Sequence, residues 1–258
     1  MVGMSVSDLD RYLFDLNGFV VVPGVLSADE VARLNEGLDQ QGLEGLSDAE
    51  RERKLEWLPA FGGPFLDLID HPRILPYLVE FVDERVRLDH AYAIQMVEGT
   101  PGLGLHGFPD DRPRNCAWYQ VRNGVISAGL TVVSFALTDV SAEDGGFVCV
   151  PGSHKANFPS PFVDAPTDRQ SPWLRHAELR AGDAVIFTEA LTHGSLEWVN
   201  PEPRRALFYK YAPGQSAWLS YQWTPEELAP LTPRQRALVG APGVFYADAR
   251  SERAPISL

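Results

Sequence analysis

The sequence predicts a mainly β protein (α+β by content) with a double-stranded β-helix, or jelly-roll, core decorated by N-terminal and C-terminal helices. Three observations carry this. Five segments between residues 85 and 212 have strand texture, period-two or β-branched: 85–97, 129–140, 146–150, 183–188 and 206–211. The 258 residues include 21 Pro and 22 Gly, a density of interruptions that favours short elements over a helical bundle. Helical spacing is confined to the flanks, 5–84 and 224–240. Antiparallel strands joined by turns and flanked by helices fit a double-sheet jelly roll. One domain over 1–258 is expected.

In chain order, Leu9, Tyr12, Leu13 and Leu16 recur at helical spacing until Asn17-Gly18 interrupts them. Phe19-Val20-Val21-Val22, closed by Pro23, reads as a short strand. Ser27 with Glu30 three residues on is a capping box, and Val31, Leu34 and Leu38 extend a helix over 28–40. Residues 41–64 read as loop around a short helix. Ile74, Leu75, Tyr77, Leu78 and Phe81 make another helix after His71-Pro72. In the strand 85–97, Val86, Leu88, Tyr92, Ile94 and Met96 are expected on one face. Pro151-Gly152 stops the strand 146–150, and Thr224-Pro225 and Thr232-Pro233 begin short helices with an N-cap and a first-turn proline.

Composition narrows the function. Hydrophobic residues are 45% and charged residues 22%, as in an ordinary globular protein. A net charge of −13 repels phosphate, so neither nucleic acid nor an anionic membrane is an expected partner. No apolar run approaches the roughly 18 residues a membrane span needs. Two cysteines, Cys116 and Cys149, are too few for a disulfide framework, and no basic-then-apolar leader opens the chain. A reducing cytoplasm is the expected setting. Lys54, Lys155 and Lys210 are the only lysines.

Two of the six histidines stand out. His106 in Gly102-Leu103-Gly104-Leu105-His106-Gly107, and His193 in Thr192-His193-Gly194-Ser195, each lie between a strand end and a glycine. Imidazole is the commonest metal ligand, and loops at strand ends are where a β scaffold presents it; a hydrogen-bonded loop histidine is the plainer alternative. Arg204 opens the strand eleven residues after His193. It would offer a planar fork to a carboxylate, or lie on the surface beside Glu202.

With these residues the chain resembles the phytanoyl-CoA dioxygenase-like proteins, which are iron(II)- and 2-oxoglutarate-dependent oxygenases. The resemblance runs from Phe14–Ser27 through Leu137-Thr138-Asp139-Val140, Asp144-Gly145-Gly146-Phe147 and Val150-Pro151-Gly152-Ser153-His154-Lys155. It ends in Gly182-Asp183-Ala184-Val185-Ile186-Phe187 and His193-Gly194-Ser195 with Arg204-Arg205-Ala206. It implies a distorted jelly roll with Fe(II) at one mouth, held by two histidines and a carboxylate. His193 is then the distal ligand and His106 the proximal one. Arg204, with Ser195, binds the far carboxylate of 2-oxoglutarate, and His154 is structural. The implied reaction takes a small-molecule substrate and O2, releases succinate and CO2, and hydroxylates or otherwise oxidises the substrate.

One feature departs from the pattern. The family's proximal motif is His-x-Asp or His-x-Glu, whereas here it reads His106-Gly107-Phe108. Glu189 is one replacement: it interrupts an apolar run, and in an extended strand it would point the same way as His193, four residues on. Asp110 or Asp111 curling back is another. A missing carboxylate would suit a halogenase, although Phe108 leaves little room for an anion. A degenerate site would leave a non-catalytic binding protein on an oxygenase fold. The insert 110–124, with Trp118, Tyr119 and Arg122, reads as a lid lining the substrate, or as an ordinary loop. Substrate identity and oligomeric state (monomer or homodimer) are left open by these features.

Overall fold

The computed structural model describes residues 5–42, 55–107, 116–158, 160–162, 169–219, 221–243 and 255–258. Helix α1 (Asp8–Asn17) begins at Ser7, whose hydroxyl accepts from the Asp10 amide. It ends at Gly18, in the left-handed region at φ 82°. Strand β1 (Phe19–Val22) and helix α2 (Ala28–Asp39) follow, and the Ser27/Glu30 capping box is formed in both directions. Short helices α3 (Pro64–Asp67) and α4 (Leu75–Phe81) precede the strands.

The strands are β2 (Arg87–Met96), β3 (Tyr119–Arg122), β4 (Val125–Ala128), β5 (Thr131–Ala136), β6 (Gly146–Cys149), β7 (Arg175–His176), β8 (Ala184–Thr188), β9 (His193–Leu196) and β10 (Arg204–Ala212). Helices α5 (Pro225–Leu228) and α6 (Pro233–Leu238) close the order, each with a threonine cap and a first-turn proline. No helix among the described residues is long and apolar enough to cross a membrane.

The larger sheet has the order β1-β8-β5-β10-β2 and the smaller β7-β6-β9, all antiparallel, while β3 and β4 form a separate hairpin. Both faces of the larger sheet are covered. Val133, Phe135, Ile186, Leu207, Tyr209 and Tyr211 pack outward with Phe14, Leu34, Ile74 and Phe81 of the helices. Val132, Val185, Phe187, Ala206 and Phe208 pack inward with Phe147 and Cys149 of the smaller sheet. This is the jelly-roll arrangement expected, with one addition: β1, from the N-terminal flank, joins the larger sheet as an edge strand, in register with β8 from Phe19↔Phe187 to Val22↔Ala184.

Strand β2 departs from its expected single face. Its pairing with β10 steps from Lys210↔His90 to Tyr211↔Leu88, so Asp89 has no opposite residue. This bulge inverts the alternation: Val86 and Leu88 pack with the helices, and Tyr92, Ile94 and Met96 face the smaller sheet. The strand 129–140 is likewise shorter than expected, because Gly129 donates to Trp118 O and the preceding residues form the hairpin.

The bulge has a second effect. Asp89, its side chain fully enclosed, accepts from Arg87 Nη1 (2.8 Å), His90 Nδ1 (2.7 Å) and the backbone amides of Trp218 (2.8 Å) and Leu219 (3.0 Å). It thereby ties the segment after β10 to the sheet. Burial pushes the Asp89 carboxyl upward, but the hydrogen bonds from His90, Trp218 and Leu219 outweigh it and hold the group below its ordinary range. A carboxyl lowered by folding stabilises fully above its unfolded value, about 4, and that contribution is lost as pH falls through the lower folded value. Asp89→Asn is expected to be less stable by about 2–3 kcal/mol at pH 7, with a shallower loss of stability between pH 5 and 3, in urea titrations across that range. Wild-type stability at pH 7 would contradict this.

Candidate metal centre

His106 and His193 are paired through their backbones. Each amide donates to the other's carbonyl at 2.8 Å, a single antiparallel bridge that extends the edge of β9. Gly107 makes this approach possible. At φ 78°, a Cβ there would lie 2.5 Å from Leu191 O, 2.7 Å from Glu189 O and 3.0 Å from His193 Nδ1.

The rings are oriented by main-chain carbonyls. His106 Nδ1 is 2.9 Å from Gly104 O, and His193 Nδ1 is 2.7 Å from Leu191 O. A carbonyl only accepts, so each Nδ1 carries the proton and each Nε2 keeps its lone pair. The ring centroids are 4.3 Å apart, and Phe187 flanks His193 at 4.7 Å. Burial lowers His193 to about 4, against the opposing charge of Glu189, so the imidazole is neutral at physiological pH, the form that ligates metal.

Glu189 completes the group. One ligand atom each from His106, Glu189 and His193 lies within 4.8 Å of the others. The route differs from the one expected. The chain does not stay extended from Glu189 to His193: β8 ends at Thr188, and the Leu191 amide donates to Thr188 O at 2.9 Å, closing a turn. Glu189 therefore follows a strand of the larger sheet and His193 opens a strand of the smaller one. They meet across the mouth of the sandwich rather than along one strand. Glu189 shares the inward parity of Val185 and Phe187.

Lys210, not among the residues expected at the site, donates to Glu189 Oε1 at 2.6 Å. Burial alone would raise the Glu189 carboxyl; the positive charge of Lys210 and its hydrogen bond oppose this, and the group is held below its ordinary range. The signal for Lys210 was in the sequence. It lies six residues after Arg204, at the same period-two parity, inside an apolar strand.

Arg204 is 3% exposed at the start of β10. Among the described residues its guanidinium meets one hydrogen-bond partner, Met96 Sδ at 3.2 Å, and no carboxylate. Burial brings it down to about 10, which leaves it cationic at neutral pH. It lines a cavity of about 60 Å³ with His106, Glu189, His193, Ser195 and Lys210. The Ser195 hydroxyl accepts from the Leu103 amide at 2.8 Å, so its own proton is left to donate. A buried unpaired guanidinium and a hydroxyl beside two imidazoles and a carboxylate fit a divalent metal and a dicarboxylate chelator.

A second cavity, of about 260 Å³, adjoins the first at His106, Glu189 and Lys210, and is walled by Ala117, Leu130 and Trp218. Of the expected substrate-lining residues, Trp118, Tyr119 and Arg122 are absent from the walls of either cavity. Tyr119 is engaged elsewhere. Its hydroxyl donates to Asp15 at 2.7 Å and its ring stands edge-on to His154 at 4.5 Å, because the β3–β4 hairpin packs against α1. Arg122 lies exposed at the hairpin end. His154 is buried, with Nε2 toward Asp15 O, consistent with a structural role. Asp110 and Asp111, the other candidate ligands, and Phe108 lie outside the described residues.

Gly107→Ala is expected to lose about 1–3 kcal/mol of stability and to weaken metal binding by the same displacement of His106, measured by thermal unfolding and by Co(II) titration. Binding equal to wild type would show that the bridge tolerates a side chain.

Known proteins similar to this chain bear on its family and fold. Ectoine dioxygenase from Nocardia farcinica is 24% identical over 227 residues, 76% of this chain and 74% of that protein. The crystal structure of HygX from Streptomyces hygroscopicus, with nickel and 2-oxoglutarate bound, superposes with a TM-score of 0.72 at 26% identity, over 83% of this chain and 89% of that one. The 2-oxoglutarate-dependent epimerase SnoN of nogalamycin biosynthesis shares the fold, with a TM-score of 0.58 at 22% identity over 81% of this chain and 83% of that one. The model of the phytanoyl-CoA dioxygenase (PhyH) family matches residues 14–206, from α1 into β10, and the chain belongs to that family.

Proposed function

We propose that the protein is an Fe(II)- and 2-oxoglutarate-dependent dioxygenase that hydroxylates, or otherwise oxidises, a small-molecule metabolite. The observation that carries this is a cationic Arg204 buried without a carboxylate partner among the described residues, in the same cavity as His106, Glu189 and His193. Leaving a charge buried and unpaired is worth several kcal/mol of instability, so such a residue points to an anionic ligand. HygX, the neighbour solved with nickel and 2-oxoglutarate, supports that ligand, and it has also been solved with hygromycin B bound.

In this reading His106, His193 and Glu189 hold the iron, and Arg204 with Ser195 binds the far carboxylate of 2-oxoglutarate. Held there, iron with 2-oxoglutarate and O2 would supply the oxidising power for a C–H bond of the substrate, with succinate and CO2 as co-products. The chain's own residues bind, orient and exclude water. The carbonyls of Gly104 and Leu191 fix the imidazole tautomers, and Phe147 and Phe187 shield His193. The 260 Å³ cavity, reached through His106 and Glu189 and walled by Trp218, receives the substrate. An aromatic wall with one cation and one anion suits a compact polar molecule with an apolar face. The Glu189 carboxylate beside both imidazoles disfavours the halogenase alternative, which needs the third position free.

Anaerobic addition of Fe(II) and then 2-oxoglutarate is expected to give the weak visible charge-transfer band of the chelate. Glu189→Ala should lose the band with the metal. Arg204→Ala should keep metal binding and weaken 2-oxoglutarate about 100-fold or more, the loss of a buried, charge-assisted pair. A wild-type protein with no band at any iron concentration would overturn the proposal, and a band that survives Glu189→Ala would overturn Glu189 as ligand.

A further inference from the structure

Lys210 is the one charged side chain of the site that the iron/2-oxoglutarate reading leaves without a task. Its ammonium is 2.6 Å from Glu189 Oε1 and 5.5 Å from the centre of the Tyr92 ring. Tyr92 is itself fixed, stacked on Phe208 at 5.2 Å with 5° between the ring planes and on His90 at 5.9 Å. Strand β10 is bonded on both sides, with Lys210 opposite Val132 of β5 and His90 of β2. The ammonium is thus set from below by a ring and from the backbone by two neighbouring strands. Its side chain is only 14% exposed and that of Glu189 13%.

We infer that Lys210 is a positioning residue for the third metal ligand: it engages one oxygen of the Glu189 carboxylate and turns the other toward His106 and His193, so that Glu189 ligates through a single oxygen. The inference rests on the reading of Glu189 as a ligand. It addresses the departure at His106-Gly107-Phe108, where the family pattern would place a carboxylate. Glu189 comes from a different element and has one more rotatable bond than an aspartate, so it can reach several places at the mouth. An ammonium at a fixed point removes that freedom. A carboxylate with one oxygen hydrogen-bonded to an ammonium is biased away from symmetrical two-oxygen chelation, because that oxygen has one lone pair fewer and less charge to offer a metal, which leaves more positions for a keto acid and O2.

A purely electrostatic role predicts the opposite effect. A cation beside a divalent metal repels it, so removing Lys210 as a mere charge would tighten metal binding. Positioning predicts weaker binding and a changed ligand geometry. The test is a Co(II) titration of the full chain, read from the visible d–d bands and needing no turnover. Lys210→Met and Lys210→Gln are compared with Lys210→Arg, Glu189→Gln and wild type, and circular dichroism of each metal-free variant checks folding.

In the neutral variants we expect Co(II) binding weaker by about 10–100-fold. We also expect a less intense d–d band, as the released carboxylate turns to two-oxygen chelation and raises the coordination number. Lys210→Arg, which keeps charge and donor, should restore most of the affinity. The neutral pair differs in polarity, so whichever of Met or Gln is tolerated at this half-apolar position suffices for the comparison. Unchanged or tighter Co(II) binding in a folded neutral variant, with Glu189→Gln still weakened, would overturn the positioning role and leave Glu189 as ligand. Unweakened binding in Glu189→Gln would overturn the ligand assignment, and the inference with it.

Discussion

A charge on the inward face of the five-stranded sheet has to be answered from within the sandwich, and the site follows from that constraint. The face is covered by the smaller sheet, and its other occupants include Met96, Val132, Val185, Phe187, Ala206 and Phe208. Desolvation there would neutralise or expel an isolated ion. Glu189 and Lys210 answer each other at 2.6 Å. Arg204, at the far end of the same strand face, has no such answer among the described residues, which is why the proposed function gives it an anionic ligand. Strand β10 thus supplies a cation at each end of one inward row, Arg204, Ala206, Phe208 and Lys210, separated by two apolar residues.

The facing sheet supplies the imidazoles. Strand β9 carries His193 and Ser195 on one face, and the His106–His193 backbone bridge attaches the loop before the hairpin to its edge. The three side chains that could hold a metal come from opposite layers of the fold, and relative movement of the sheets would separate them. The bridge, the Gly107 turn and the carbonyls that orient both rings are main-chain features, which gives the site rigidity that side chains alone would not.

How much of this was legible beforehand can be read from particular residues. The capping box at Ser27 and Glu30, the Phe19–Val22 strand and the threonine-proline starts of α5 and α6 were all visible, because caps and breakers act over three or four residues. The bulge at Asp89 was not: a bulge is a property of a strand pair, and the partner lies some 120 positions away. Tyr119 looked like a substrate wall because aromatics cluster around it, yet the hairpin that carries it packs on α1, which only the assembled chain shows.

The sequence by itself determined the chemistry available: two histidines flanked by glycine, an arginine at a strand start, and a glutamate interrupting an apolar run, each set by residue type and local spacing. The tertiary structure decided which of them meet. The turn at 188–191 brings Glu189 to His193 from the opposite sheet, and period-two parity on β10 places Lys210 against that carboxylate. The physical reason is that local spacing fixes the face on which a side chain emerges, whereas the choice of facing partner belongs to the closure of two sheets over one core.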